Sequence, residues 1–240
     1  DAFAGSVAIS VGASGFAGAG AGVEVTNRLG TEVQAFVKDS DVTVTNRDGG
    51  NMDIQAISSS QITKANATGV AVAAVIAPKG VAISIAASIV DNRIVNKVDA
   101  FIAGTAEHEI NVAGIVKVLA DATQANISNT NAVTASVSIG LVGVSGGGID
   151  IDNVVENSVA AAIRGALTVT AGDYLYLEAK ETASVAANAT GVTAAIAAVS
   201  LVVGVSLVDN EINSSITASI GEANQTGGVV SNPTVNATSI

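Results

Sequence analysis

A short segment built around an asparagine occurs four times along this chain, and it constrains the fold more than any other feature. The copies read TNRLGTEVQAFV from Thr26, DNRIVNKVDAFI from Asp91, DNVVENSVAAAI from Asp152 and DNEINSSITASI from Asp209. Their anchors, Asn27, Asn92, Asn153 and Asn210, are 65, 61 and 57 residues apart. Around each anchor, apolar residues hold alternate positions: Val25, Val90, Ile151 and Val208 two before, Leu29, Ile94, Val155 and Ile212 two after. The alternation continues through Val33, Val98, Val159 and Ile216, then through Val37, Ile102, Ile163 and Ile220. Arg28, Glu32, Arg93, Lys97, Asp99 and Glu211 stand between them. A period of two, β-branched on one side and often charged on the other, predicts a strand with one buried face; a helix would need a period near 3.6.

The core these strands can build is set by what the chain lacks. Hydrophobic residues make up 49% of the sequence, but aromatics only 2%, with no Trp and one Met. Large side chains normally fill irregular interiors. An interior of Ala, Val and Ile suits thin, regular β-layers instead. Only Pro78 and Pro233 interrupt the supply of backbone donors, so nearly every residue can join a ladder. The predicted fold is therefore all-β, a parallel β-helix-like solenoid of four imperfect repeats of about 57–65 residues. The array runs over 1–240, with repeats near 5–68, 69–132, 133–190 and 191–240. About four short strands and two or three coils are expected per repeat, because 60 residues is long for one coil. Parallel layers about 4.8 Å apart would put like residues over like and permit asparagine ladders.

The run Gly191–Val208 is apolar enough to suggest a membrane-spanning helix, and mean hydropathy is +0.53. The repeat frame argues otherwise. Equivalent stretches are broken at Gly12–Gly20, Ala77–Gly80 and Ser145–Gly148, which predicts a turn in the fourth copy near Val203–Gly204. Strands covered on both faces also read as continuous apolar runs. No membrane insertion is expected on this reading. The array starts and stops without a polar capping segment, so neighbouring repeats or another subunit are expected to continue it.

Chemistry-bearing motifs are sparse. The net charge of −11, with no basic cluster, argues against nucleic acid. Cysteine is absent, which removes disulfides and thiolate metal sites. His108, the only histidine, sits in a predicted solvated loop with no nucleophile motif. Two acidic pairs, Asp150 with Asp152 and Glu107 with Glu109, share a strand face by their spacing. They read as solvent-facing acids, with a carbohydrate-active site as the alternative should Tyr174 and Tyr176 line a cleft with them. Sequons begin at Asn66, Asn126, Asn188, Asn213, Asn224 and Asn236. No catalytic, cofactor-binding or metal-binding residue is assigned and no cofactor is expected.

Units of the form GVAVAAV, VAISIAASIVDN and an ANATG bridge (Ala65–Gly69, Ala187–Gly191) resemble the repeats of large bacterial filamentous adhesins, the leukotoxin-like and haemagglutinin-like β-strand repeat proteins. The resemblance covers essentially the whole chain. It implies a secreted or cell-surface solenoid of structural or adhesive function, acting by repetition and self-association and not as an enzyme, with host or matrix glycans as further partners. A carbohydrate-active or carbohydrate-binding β-helix is the alternative function.

Overall fold

The computed structural model describes residues 1–45 and 50–221, and the backbone of 233–239. Its strands are β1 (Ala2–Val11), β2 (Gly15–Lys38), β3 (Val42–Val44), β4 (Met52–Ile62), β5 (Ala65–Ile76), β6 (Gly80–Gly104) and β7 (Glu109–Val112). They continue as β8 (Val116–Ile139), β9 (Val142–Gly165), β10 (Thr168–Ala171), β11 (Leu175–Ile196), β12 (Val199–Ile220) and β13 (Pro233–Ser239). Among the described residues there is no helix. Every strand pairing is parallel.

The chain is a β-solenoid whose coil is long and flat. Strands β2, β6, β9 and β12 form an anchor sheet; β1, β4, β5, β8, β11 and β13 form a facing sheet. The short strands β3, β7 and β10 make a narrow third sheet that closes one end of the coil. At the opposite end the chain passes between the long sheets through bends at Gly12–Ser14, 77–79, 140–141 and 197–198.

Register decides what one repeat is. Asn27 pairs with Asn92, Asn92 with Asn153, and Asn153 with Asn210. Successive anchors are therefore neighbours across the ladder, and one repeat is one coil. Two or three coils per repeat would have placed other residues between them. The expectation of four short strands per repeat is corrected in the same way: a coil has two long runs, up to 25 residues in β6, and one strand of three or four residues. A 24-residue strand reaches roughly 80 Å at 3.3 Å per residue, far beyond ordinary strands. Long strands survive here because each is paired along its length, in register, with the equivalent strand of the next coil.

Two predicted turns move as well. Ser145–Gly148 lies inside β9 and Val203–Gly204 inside β12; the bends fall at Gly140–Leu141 and Ala197–Ala198. These glycines serve close sheet packing. A Cβ on Gly147 would meet the Thr193 methyl at 2.7 Å, and one on Gly69 would meet the Ala87 carbonyl at 2.8 Å. The Gly- and Asn-rich run Asn46–Asn51 reads from its composition as punctuation between strands; residues 46–49 lie outside the described residues, as does the sequon at Asn224.

The core tapers along the coil. Near the short sheet it is built of Ile102, Ile110, Leu167, Leu175 and Leu177; at mid-coil Val90, Ile94, Ile127, Ile151 and Val155 meet. Toward the bends it narrows to Ala17, Ala71, Ala73, Ala82 and Ala86. Anchor-segment residues at even spacing face inward, as their alternation predicts: Val90, Ile94, Val98 and Ile102 are fully buried. In the bend-side half the larger apolar residues point the other way. Ile85, Ile89, Val7 and Ile9 are exposed while Ala and Ser fill the interior. The apolar runs are thus covered on one face, not two.

Candidate functional site

Three arrangements recur where coils stack, and each follows from like residues lying over like. The first is internal. Asn27 Nδ2 donates to Asn92 Oδ1, Asn92 to Asn153 and Asn153 to Asn210, each at 2.8 Å. Thr130 of β8 closes the gap between sheets, accepting from Asn92 at 3.0 Å and donating to Asn153 at 3.3 Å. A shorter ladder lies four residues on: Asn96 donates to Asn157 at 3.0 Å and Asn157 to Glu181 at 2.7 Å. With Asn92 and Asn153 fully buried, the amides hold the two sheets in register and are not available to a ligand.

The second arrangement is the charged outer face of the anchor sheet. Arg28 pairs with Asp91 at 3.1 Å, Arg93 with Glu156 at 2.7 Å and Lys97 with Glu32 at 2.8 Å. Arg164 grips Asp99 with two bonds of 2.6 and 2.9 Å and lies 4.5 Å over the Phe101 ring, which stacks on Phe36. Asp150 and Asp152 are on this face, exposed. Asp152 is in register with Asp91 on one side and Asp209 on the other. Partial burial first, and these neighbouring carboxylates second, push its pKa up. Neither acid lines the cleft that holds Tyr174 and Tyr176. Glu107 and Glu109 also part company: Glu107 is in a turn and only Glu109 begins a strand. His108 sits in that turn half-buried, its Nδ1 3.6 Å from Asp41. Among the described residues no three His, Cys, Asp or Glu side chains converge to hold a metal ion.

Stacked like charges cost stability, and the cost depends on pH. The folded chain keeps a proton on Asp152 to a higher pH than the unfolded chain does. Stability contributed through this group is therefore present at low pH and falls as pH rises through the folded-state pKa. Asp152→Asn is expected to raise stability at pH 7 by roughly 0.5 kcal/mol, the size of a like-charged cross-strand pair. The gain should vanish near pH 3; urea titrations at the two pH values check it, and an equal gain at both would contradict the account.

The third arrangement is a cleft of about 350 Å³ on the outer face of the facing sheet, near the short-strand end. Asn51, Asp53, Lys117, Tyr174, Tyr176 and Glu178 line it. Register assembles it from three coils: Asp53 lies beside Lys117, and Lys117 beside Tyr176. Asn51 Oδ1 accepts from the Ile115 backbone at 2.8 Å, and Lys180 holds Glu178 at 3.0 Å. Tyr174 is 46% exposed. The tyrosines stood out in the sequence; Asp53 and Lys117, 64 residues apart, carried no signal that they meet.

Among the described residues, the outermost long strands of the anchor sheet lack an outer neighbour. In the anchor sheet β2 pairs with β6 alone and β12 with β9 alone. Strand β12 is exposed on both faces over most of its length. Comparison with known proteins returned no matching family model, no matching curated protein and no matching solved structure.

Proposed function

We propose that this chain is a structural or adhesive segment of an extracellular bacterial surface or filament-forming protein, acting through repetition and self-association. The observation that carries the reading is the pair of open anchor-sheet edges, 24 and 22 residues long. Unpaired edges of such length template further strands, and the register from coil to coil gives a next coil a defined place to dock. The partner is then more coils of the same kind, in the same polypeptide or a second copy. The adhesin-like repeat units support a secreted or surface location and a role without catalysis. Negative-stain microscopy at rising concentration tests this: rods that lengthen with concentration are expected, and discrete particles whose size does not change would refute it.

A second reading is favoured by the tyrosine cleft alone. Aromatic faces beside carboxylates and an amide suit a sugar ring, whose C–H face stacks and whose hydroxyls bond to the acids. Here the chain would bind a glycan without cleaving it. Tyr174→Ala with Tyr176→Ala is expected to lower retention on a glycan array at least tenfold and leave rod formation intact. Unchanged retention, or none in the parent protein, would exclude the reading.

A further inference from the structure

Close to the bends, each coil is inverted: small and hydroxyl side chains point in, large apolar ones out. On the anchor sheet the outward side chains include Phe16, Val81, Ile83, Ile85, Leu201 and Val203. On the facing sheet Phe3, Val7, Ile9, Val72, Val137 and Ile196 do the same. Exposure reaches 74% at Val11 and 64% at Ile196. Both outer faces and the bends that join them thus form a single apolar blade, well beyond the scattered exposed residues normal for a protein surface.

We propose that this blade embeds in the hydrocarbon of a phospholipid bilayer. Three observations select lipid over a protein partner. First, the apolar surface lies on both faces of a thin slab. A partner seated on one face leaves the other in water, whereas a fluid apolar medium covers both. Second, the depth fits. Between the bends and the row of Glu24, Ile89, Asp150 and Leu207 there are about nine residues per strand, roughly 30 Å at 3.3 Å each, close to the thickness of a bilayer's hydrocarbon. On the anchor sheet ionised side chains begin at that level with Glu24 and Asp150, and on the facing sheet the first ion pair, Lys64–Asp1 at 2.6 Å, lies somewhat farther from the bends. Third, serines of the blade turn inward and three of them bond to carbonyls there, as hydrocarbon favours, while Thr134 Oγ1 and Ser138 Oγ are buried without a partner among the described residues. Ser84 Oγ donates to the Ala71 carbonyl at 2.7 Å, Ser136 to that of Ser84 at 2.8 Å, and Ser145 to that of Ser136 at 2.7 Å.

Lys79, in the second bend, is the single ionisable residue among the bends, and its long stem lets the ammonium reach headgroups. The acidic residues at the base, Asp91, Asp150, Asp152 and Asp209, disfavour anionic lipid there, so zwitterionic bilayers are the preferred target. The inference departs from the expectation of no membrane insertion, which assumed that the apolar runs are covered on both faces. It rests on the proposed edge-to-edge continuation in one respect: strands at the two ends of the stack need neighbours to pair their backbones inside lipid.

The chain contains no Trp, so Ile85→Trp, Val7→Trp and Gln34→Trp each introduce a single reporter. With phosphatidylcholine vesicles carrying brominated acyl chains, the first two are expected to shift to the blue and lose at least half their emission, and Gln34→Trp to stay unchanged. The parent should float with vesicles, and Ile85→Glu with Val203→Glu, both at exposed positions, should cut flotation at least tenfold with unaltered circular dichroism. No flotation of the parent overturns the proposal, as does a concentration-dependent blue shift of Ile85→Trp in buffer alone, which would identify a second copy as the covering partner. Rods without flotation would sink the lipid inference and leave edge assembly standing; neither rods nor flotation would refute both.

Discussion

Asn153→Ala is expected to destabilise the fold by about 3 kcal/mol, a sizeable share of the roughly 5–15 kcal/mol that holds a typical domain folded. Asn153 accepts from Asn92 and donates to Asn210, both at 2.8 Å, and accepts from Thr130 at 3.3 Å. Truncation removes two strong bonds worth about 1 kcal/mol each and strands one N–H of the fully buried Asn92, at roughly 1–3 kcal/mol. The other Asn92 N–H keeps Thr130, which limits the loss. Asn210→Ala is the internal comparison. Asn210 is exposed and at the end of the ladder, so its loss should cost about 1 kcal/mol or less. Urea unfolding of both variants checks the ordering. Equal losses would mean that the amides act singly and not as a ladder.

Gly165→Ala is the second large effect, at about 3 kcal/mol. Gly165 ends β9 with φ +86°, where an L-residue pays roughly 1–2 kcal/mol. A Cβ there would also run into the carbonyl of Gly104 in the coil beneath. That carbonyl accepts the Ala166 N–H at 3.1 Å, so relieving the clash disturbs a hydrogen bond at the corner. Gly221 separates the two costs. It has φ +79° and, among the described residues, nothing within 4 Å of its Cβ position, so Gly221→Ala should show the backbone term alone, about 1 kcal/mol. Thermal unfolding of the pair tests this, and identical shifts would show that stacking against the next coil contributes nothing.

The ladder and the corner also explain which parts of the architecture were readable. Side chains alternate with period two whatever the strand pairs with, so the inward Val90, Ile94 and Val98 and the outward Arg93 and Lys97 could be assigned from spacing. Repetition of Asn27, Asn92, Asn153 and Asn210 pointed to turn or ladder residues, and parallel stacking, which superimposes equivalent residues, makes them a ladder. The acidic pairs were correctly read as solvent-facing at Asp150 and Asp152. At Glu107 the strand pattern misled, since a turn intervenes before β7.

Coil length was not readable, because local sequence carries no record of where a strand's hydrogen bonds end. Only the register of Asn27 on Asn92 makes the coil equal to the repeat. The cleft depends on the same long-range register, which brings Asp53 and Lys117 beside Tyr176 from separate coils. Glycine was misleading for a related reason: at Gly147 it answers the approach of the opposite sheet rather than a turn. The sequence by itself determined that the chain forms β-strands, which residues alternate along them and that equivalent asparagines stack, since those follow from backbone geometry and repetition. Which side of the Ala–Val alternation faces inward near the bends was decided only in the tertiary structure. There the two sheets come so close that mostly Ala, Ser and Gly fit between them, with Val75 set against Gly15 and Gly80, and most Val and Ile are left on the outside.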